Sequence, residues 1–201
     1  MHLEDEYEVL QLLQEGWRGK ILLVEHKKTR KEVVLKAMHK EATSRLEFFK
    51  EFHYNYYLSP HNNILNAYDV SFQAEDYFVY AQEFAPFGDL TNNMTENGIG
   101  EVNAKRIAFQ LASALDFMHS KDLVHRDITM DNVLIFKLDF SLVKLCDFGS
   151  TKRSGSLIKK KIVWLTYAPP EIVDIVQNEG YHADPSQVST EYLLPYYSFY
   201  N

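Results

Sequence analysis

Short apolar runs broken by polar and glycine-bearing turns mark the first third of the chain as strand-rich, and past the hinge near residue 84 the hydrophobic positions recur at helical spacing. Glu8 to Leu13 and Lys20 to Glu25 read as strands on either side of a turn holding Gly16 and Gly19, and Glu32 to Met38 reads as a third strand after the polar run Lys27-Lys28-Thr29-Arg30-Lys31. A helix is predicted over about Glu41 to Leu58, with Leu46, Phe49 and Phe52 at helical spacing and Ser59-Pro60-His61-Asn62-Asn63 as its end. Ile64 to Phe72 and Tyr77 to Glu83 read as two more strands that lead to a connector, Ala85-Pro86-Phe87-Gly88-Asp89. Beyond this hinge, Val102 to Ser120 places Ile107, Ala108, Leu111, Ala112, Leu115 and Met118 on one helical face. Two short strands follow, Asn132 to Phe136 and Leu142 to Cys146, around a turn near Asp139. Residues 150–163 carry Lys152, Arg153, Lys159, Lys160 and Lys161 and no acid, and read as a mobile loop. A strand-rich front joined by a hinge to a helix-rich back predicts an α+β, two-lobed architecture.

Composition narrows the classes. The 201 residues are 46% hydrophobic and 24% charged, an ordinary globular balance. A net charge of −7 argues against a nucleic-acid partner, which needs a basic footprint. The single cysteine, Cys146, excludes an internal disulfide framework and a multi-cysteine zinc site. The longest apolar runs, such as Ile21 to Val24, are too short to span a bilayer, so no membrane association is expected. The acidic start, Met1-His2-Leu3-Glu4-Asp5-Glu6, lacks the features of a signal peptide. A soluble, intracellular, cytoplasmic protein is the expectation. The histidines lack metal-site spacings and read as surface or core residues.

The segment with the sharpest chemistry is Val124-His125-Arg126-Asp127-Ile128-Thr129-Met130-Asp131-Asn132, and Cys146-Asp147-Phe148-Gly149 brings a second carboxylate, Asp147, fifteen residues after Asn132. Phosphoryl transfer asks for metal-held phosphates, a positioned nucleophile and charge stabilisation, with little covalent help from the protein. One carboxylate for the attacking hydroxyl, one amide and one carboxylate for magnesium supply those parts. Each of the three is also a common turn residue. Their order, with two apolar strands between them, favours the chemical reading.

On these residues the chain resembles the protein kinase superfamily, from its first strand to about residue 187. The resemblance implies ATP and Mg2+ as cofactors and a protein substrate, with Asp127 as catalytic base and Asn132 and Asp147 as metal ligands. Val33-Val34-Leu35-Lys36 is similar to the lysine-bearing strand, so Lys36 would bind the α- and β-phosphates, held by Glu51 on the helix or, one turn earlier, by Glu47. Gly16, Gly19, Ile21, Val34 and Leu134 would line the nucleotide. Glu83-Phe84-Ala85 resembles the hinge whose backbone, at Glu83 and Ala85, receives adenine. Gln82 would control pocket depth and Asp89 would reach the ribose hydroxyls. The stretches Ala81 to Leu90 and Asp147 to Arg153 look most like the SH3-binding-domain kinase family, which are serine/threonine kinases, although no Pro-x-x-Pro element for SH3 binding is present. Arg126 beside the catalytic aspartate suggests control by phosphorylation in the 150–163 loop, with Thr151, Ser154 and Ser156 as candidate acceptors.

The pattern is broken in places. Gln14-Glu15-Gly16-Trp17-Arg18-Gly19 has glutamine where the family's first glycine belongs and arginine in place of an aromatic. Thr129 stands where serine/threonine kinases usually carry lysine, and Trp164 where the family has threonine before Ala168-Pro169-Pro170-Glu171. Past Asp184-Pro185-Ser186-Gln187 the tail has no family match. The expected division is therefore an N-terminal lobe over 1–83, an incomplete C-terminal lobe over 84–187 and a non-family tail over 188–201. Two functions remain open: a protein kinase, impaired by truncation, and a nucleotide-binding module without catalysis.

Overall fold

The computed structural model describes residues 3–158 and 181–182. In chain order its elements are α1 (Leu3–Glu6), β1 (Tyr7–Gly16), β2 (Gly19–His26), β3 (Lys31–His39), α2 (Arg45–Leu58), β4 (Ala67–Gln73), β5 (Tyr77–Gln82), α3 (Glu101–His119), β6 (Leu123–Val124), β7 (Val133–Ile135), β8 (Val143–Leu145), β9 (Lys152–Arg153), β10 (Leu157–Ile158) and β11 (Tyr181–His182). They fall into two compact units: one runs to Pro60 and resumes over Ile64–Pro86, and the other takes His61–Asn63 and the chain from Phe87 onward.

The first unit is a five-stranded antiparallel sheet in the order β1-β2-β3-β5-β4, with α2 packed on β4 and β5. Alternation along the strands sorts side chains onto two faces. Leu35, Ala37, Val79 and Ala81 join Tyr7, Leu22 and Val24 in one apolar cluster. Phe78 and Tyr80 turn the other way and pack with Phe48 of α2 and with Ala67. The register pairs Val34 with Gln82, Lys36 with Tyr80 and Met38 with Phe78, so Lys36 shares the face that α2 covers.

α2 starts at Arg45, four residues after the predicted start at Glu41, because Ser44 caps it. The Ser44 hydroxyl accepts the Glu47 amide at 3.2 Å, and Glu47 accepts the Ser44 amide at 2.9 Å. Its buried stripe is Phe48, Glu51, Asn55 and Leu58. The predicted stripe is wrong: Leu46 and Phe49 are exposed and Phe52 is half-buried. The strand expected from Ile64 begins at Ala67, since Asn66 is held from both sides by Glu83 and Ile64 and Leu65 are core plugs before it.

In the second unit α3 packs on β6 and β8 and buries Ala104, Ile107, Leu111, Ala114, Leu115 and Met118. Ala108 is half-buried and Ala112 exposed, so the stripe is rotated slightly from the predicted one. Asn63 shows why His61–Asn63 belong here: its amide donates to Gln110 Oε1 and Val143 O, both at 2.9 Å, and its carbonyl accepts the Leu145 amide. The 150–163 segment is more structured than a mobile loop at its start. β9 pairs with β6, and β10 with β11. Lys159 to Lys161, Trp164, the Ala168-Pro169-Pro170-Glu171 motif and the tail lie outside the described residues.

Candidate active site

In the first unit the site is built on β2, β3 and α2. Ile21 pairs directly with Lys36 across the β2–β3 ladder, and Val34 lies two residues before Lys36 on the same face. Lys36 Nζ reaches Glu51 Oε1 at 2.6 Å, with only 18% and 6% of the two side chains exposed. Glu51, rather than Glu47, meets the lysine, because Glu47 belongs to the helix cap. An acid on a buried helical stripe is costly unless its charge is met, and Lys36 and the Tyr80 hydroxyl, 3.1 Å from the same oxygen, meet it. Gln82 is also buried, and its amide donates to Asn55 Oδ1 at 2.6 Å.

Gly16 and Gly19 face one another across the β1–β2 turn. Gly19 cannot be replaced without movement: its φ is +146°, and a Cβ would stand 2.0 Å from the Ala37 carbonyl oxygen. Gly16 meets no such restriction. At the end of β5, the Glu83 amide donates to Asn66 O at 2.9 Å and its carboxylate accepts the Asn66 amide at 2.6 Å. Ala85 follows, half-buried, beyond the end of β5.

In the second unit the loop from β6 to β7 is fixed from several sides. His125 is fully buried. Its Nδ1 accepts the Asp127 amide at 3.2 Å, so Nε2 carries the proton and donates to Cys146 O at 3.1 Å. Burial lowers its pKa to about 4, against the opposing pull of the Asp147 charge and the Cys146 carbonyl. Asn132 Nδ2 donates to Asp127 O at 2.8 Å and lies 3.2 Å from Asp127 Oδ2. The Cys146 amide donates to Asn132 O at 2.9 Å, which brings the residue before Asp147 onto the same loop. Asp147 accepts the Gly149 amide at 3.2 Å, and Phe148, buried, sets its ring edge-on to His125 at 5.2 Å. Thr129 opens the 3-10 turn that ends at Asn132.

Two non-glycine residues here hold positive φ, Arg126 at 71° and Asp147 at 61°. Each such residue costs about 1–3 kcal/mol, and outliers of this kind cluster at functional sites. Arg126 Nη1 donates to Ser150 O at 3.0 Å. Thr151, just before β9, is only 2% exposed. Ser154 and Ser156 are half-buried. Leu134, half-buried on β7, bridges to Asp89, whose carboxylate accepts both the backbone and side-chain amides of Asn92 at 2.7 Å.

The donor chemistry suits Mg2+. Asn132 gives its NH2 to Asp127, which turns its amide oxygen elsewhere, and Asp147 supplies a carboxylate. Magnesium takes hard oxygens and is commonly held by one or two protein groups together with substrate phosphates. Sequence reasoning missed Tyr80 and Asn55; the available signal was the four-residue spacing of Glu51 and Asn55 against the two-residue spacing of Tyr80 and Gln82.

A largely desolvated lysine on the sheet paired with a helix glutamate, and a loop carrying aspartate and asparagine with a second aspartate after β8, are the parts that phosphoryl transfer uses. Residues 7–188 match the family described as the protein kinase domain, and the chain belongs to that family. It is similar to the serine/threonine-protein kinase meng-po of Drosophila melanogaster, 48% identical over 98% of this chain and 44% of that protein. It is similar too to the serine/threonine-protein kinase SBK1 of Danio rerio, 41% identical over 90% and 47%, and of Mus musculus, 39% identical over 89% and 43%. The chain thus spans less than half the length of these relatives. Among the described residues no helix is long and apolar enough to cross a membrane.

Proposed function

We propose that the chain binds Mg2+-ATP and transfers its γ-phosphoryl group to a serine or threonine hydroxyl of a protein. The observation that carries this reading is the 2.6 Å contact between Lys36 Nζ on β3 and Glu51 Oε1 on α2, with 18% and 6% of the two side chains exposed. A lysine so largely withdrawn from water is well placed to meet phosphate, and an apolar pair of equal volume would stabilise the fold as well or better.

The residues divide the work. Lys36 meets the α- and β-phosphates and Glu51 keeps it in place. Ile21 and Val34, on the same sheet face, contact the base, and Gly16 and Gly19 let the backbone approach phosphate. The backbone at Glu83 and Ala85 receives adenine, and Asp89 lies toward the ribose. Leu134 closes the apolar floor. Asp127 orients the acceptor hydroxyl and takes its proton, while Asn132 fixes the Asp127 loop through its NH2 and offers its oxygen, with Asp147, to the metal. Bound magnesium neutralises charge developing on the phosphate oxygens. The serine/threonine preference is supported by the names of the similar proteins. Ser154 and Ser156 are proposed as regulatory acceptors whose phosphate would pair with Arg126.

The test is transfer of labelled phosphate from Mg2+-ATP to a general protein acceptor. The wild-type chain should transfer, and Asp127→Asn should lower the rate by about 100-fold or more, the scale of a general base. Mg2+-ATP binding with no transfer by wild type would establish the non-catalytic nucleotide-binding reading instead.

A further inference from the structure

The face of β5 that α2 covers carries two polar side chains with almost no exposed surface, Tyr80 at 0% and Gln82 at 5%. The Tyr80 ring is enclosed by aromatic neighbours: Phe52 at 5.4 Å and Phe48 at 6.0 Å between ring centroids, with Phe48 itself stacked on Phe78 at 5.2 Å. Phenylalanine would satisfy that packing, and a hydroxyl so deeply buried is unfavourable unless it is bonded. The hydroxyl donates to Glu51 Oε1 at 3.1 Å, the oxygen that Lys36 Nζ approaches at 2.6 Å. Two residues further along β5 and four further along α2, Gln82 Nε2 donates to Asn55 Oδ1 and Asn55 Nδ2 donates to Leu65 O, both at 2.6 Å. Strand and helix are therefore tied by two polar rungs, Tyr80 to Glu51 and Gln82 to Asn55.

We propose that Tyr80 is a positioning residue: its hydroxyl fixes the Glu51 carboxylate where it meets Lys36, and the Gln82–Asn55 rung sets the register of α2 that makes this possible. A glutamate side chain has three rotatable bonds, and a lysine partner that is itself flexible does not hold it in one orientation. A rigid phenol held between two aromatic rings does. The direction of the second rung is fixed as well, because Asn55 gives its NH2 to the Leu65 carbonyl and must accept from Gln82. The consequence for phosphate binding rests on the kinase reading above; the positioning itself does not.

The test reads the lysine directly. Only an unprotonated amine attacks the carbonyl of an N-hydroxysuccinimide ester and expels N-hydroxysuccinimide, so a Lys36 ammonium held against Glu51 reacts slowly beside the exposed Lys28 in the same chain, and peptide mass spectrometry gives the ratio. Tyr80→Phe should raise the Lys36:Lys28 ratio by about tenfold, the size expected for one lost hydrogen bond to a charged group. In a Glu51→Gln background the same substitution should add nothing. An unchanged ratio in Tyr80→Phe, or an equal increment in both backgrounds, would overturn the proposal. Should Tyr80→Phe unfold, the wild-type chain decides: the Tyr80 hydroxyl proton is expected as a slowly exchanging NMR resonance close to Glu51, and rapid exchange with water would overturn the role. A Tyr80→Phe effect on Lys36 in a chain that does not bind Mg2+-ATP sustains the positioning role and defeats the kinase reading instead.

Discussion

His125 shows how a single side chain joins folding to the candidate site. Its ring accepts from the Asp127 amide and donates to Cys146 O, so the neutral form alone satisfies both neighbours. Protonation would turn a donor against the Asp127 N–H. Burial depresses the folded-state pKa from 6.5 to about 4, against the opposing pull of the Asp147 charge and the Cys146 carbonyl. Between those values the unfolded chain binds more protons than the folded one, so stability falls as pH drops through this window and is fully present above it. The loss amounts to about 3 kcal/mol for a shift of this size. Urea unfolding at stepped pH should show it, and His125→Phe should flatten the profile, leaving the smaller contributions of His61 and His119, whose pKa values burial also lowers. A profile in His125→Phe as steep as in wild type would refute the assignment. The motif around His125 was legible as a linear pattern because its partners, Asp127 and Asn132, lie within one short loop. The burial of Thr151 was not, since a hydroxyl residue beside basic neighbours looks the same whether it faces water or core.

Elements were read best where burial follows a simple period. The β1–β2–β3 meander stands close to its predicted bounds because glycine and polar turns punctuate its apolar runs, and α3 does because a stripe of leucine, isoleucine and methionine reports which side is covered. α2 broke that logic. It carries aromatic and aliphatic residues all round, and its buried stripe is half polar because Glu51 and Asn55 serve partners on β3 and β5. A periodicity argument then selects Leu46 and Phe49, the residues left in solvent. The structure makes a measurable distinction. Phe48, 2% exposed and in ring contact with Phe52, Phe78 and Tyr80, should cost about 3–5 kcal/mol when changed to alanine. Leu46→Ala, at a site 64% exposed, should stay within about 0.5 kcal/mol. Chemical denaturation of the two variants checks the face of the helix, and equal losses would restore the stripe that the sequence pattern favoured.

At the scale of the whole molecule, the residues to which the proposed function gives a part fall into two compact units. Lys36 and Glu51 belong to one; Asp127, Asn132 and Asp147 to the other. Their order along the chain was legible because each motif is short and local, whereas the membership of His61–Asn63 in the second unit was not, since it depends on hydrogen bonds from Asn63 to residues 47 and 80 positions away. A ligand that needs both sets must stabilise the folded chain by mass action: at 100 times its Kd the gain is about 2.7 kcal/mol. For a chain of this length that corresponds to a rise in Tm of about 5–10 °C. The metal dependence separates the two contributions. Mg2+-ATP should give the full rise, ATP with EDTA much less, and Asp147→Asn should bring the Mg2+-ATP response down to the EDTA level, because the carboxylate that Asp147 offers is then gone. Lys36→Met should weaken both responses, since its ammonium meets phosphate whether or not the metal is present. A rise in wild type that is the same with EDTA as with magnesium would show nucleotide bound without the metal, and would remove Asn132 and Asp147 from the site while leaving Lys36 in it.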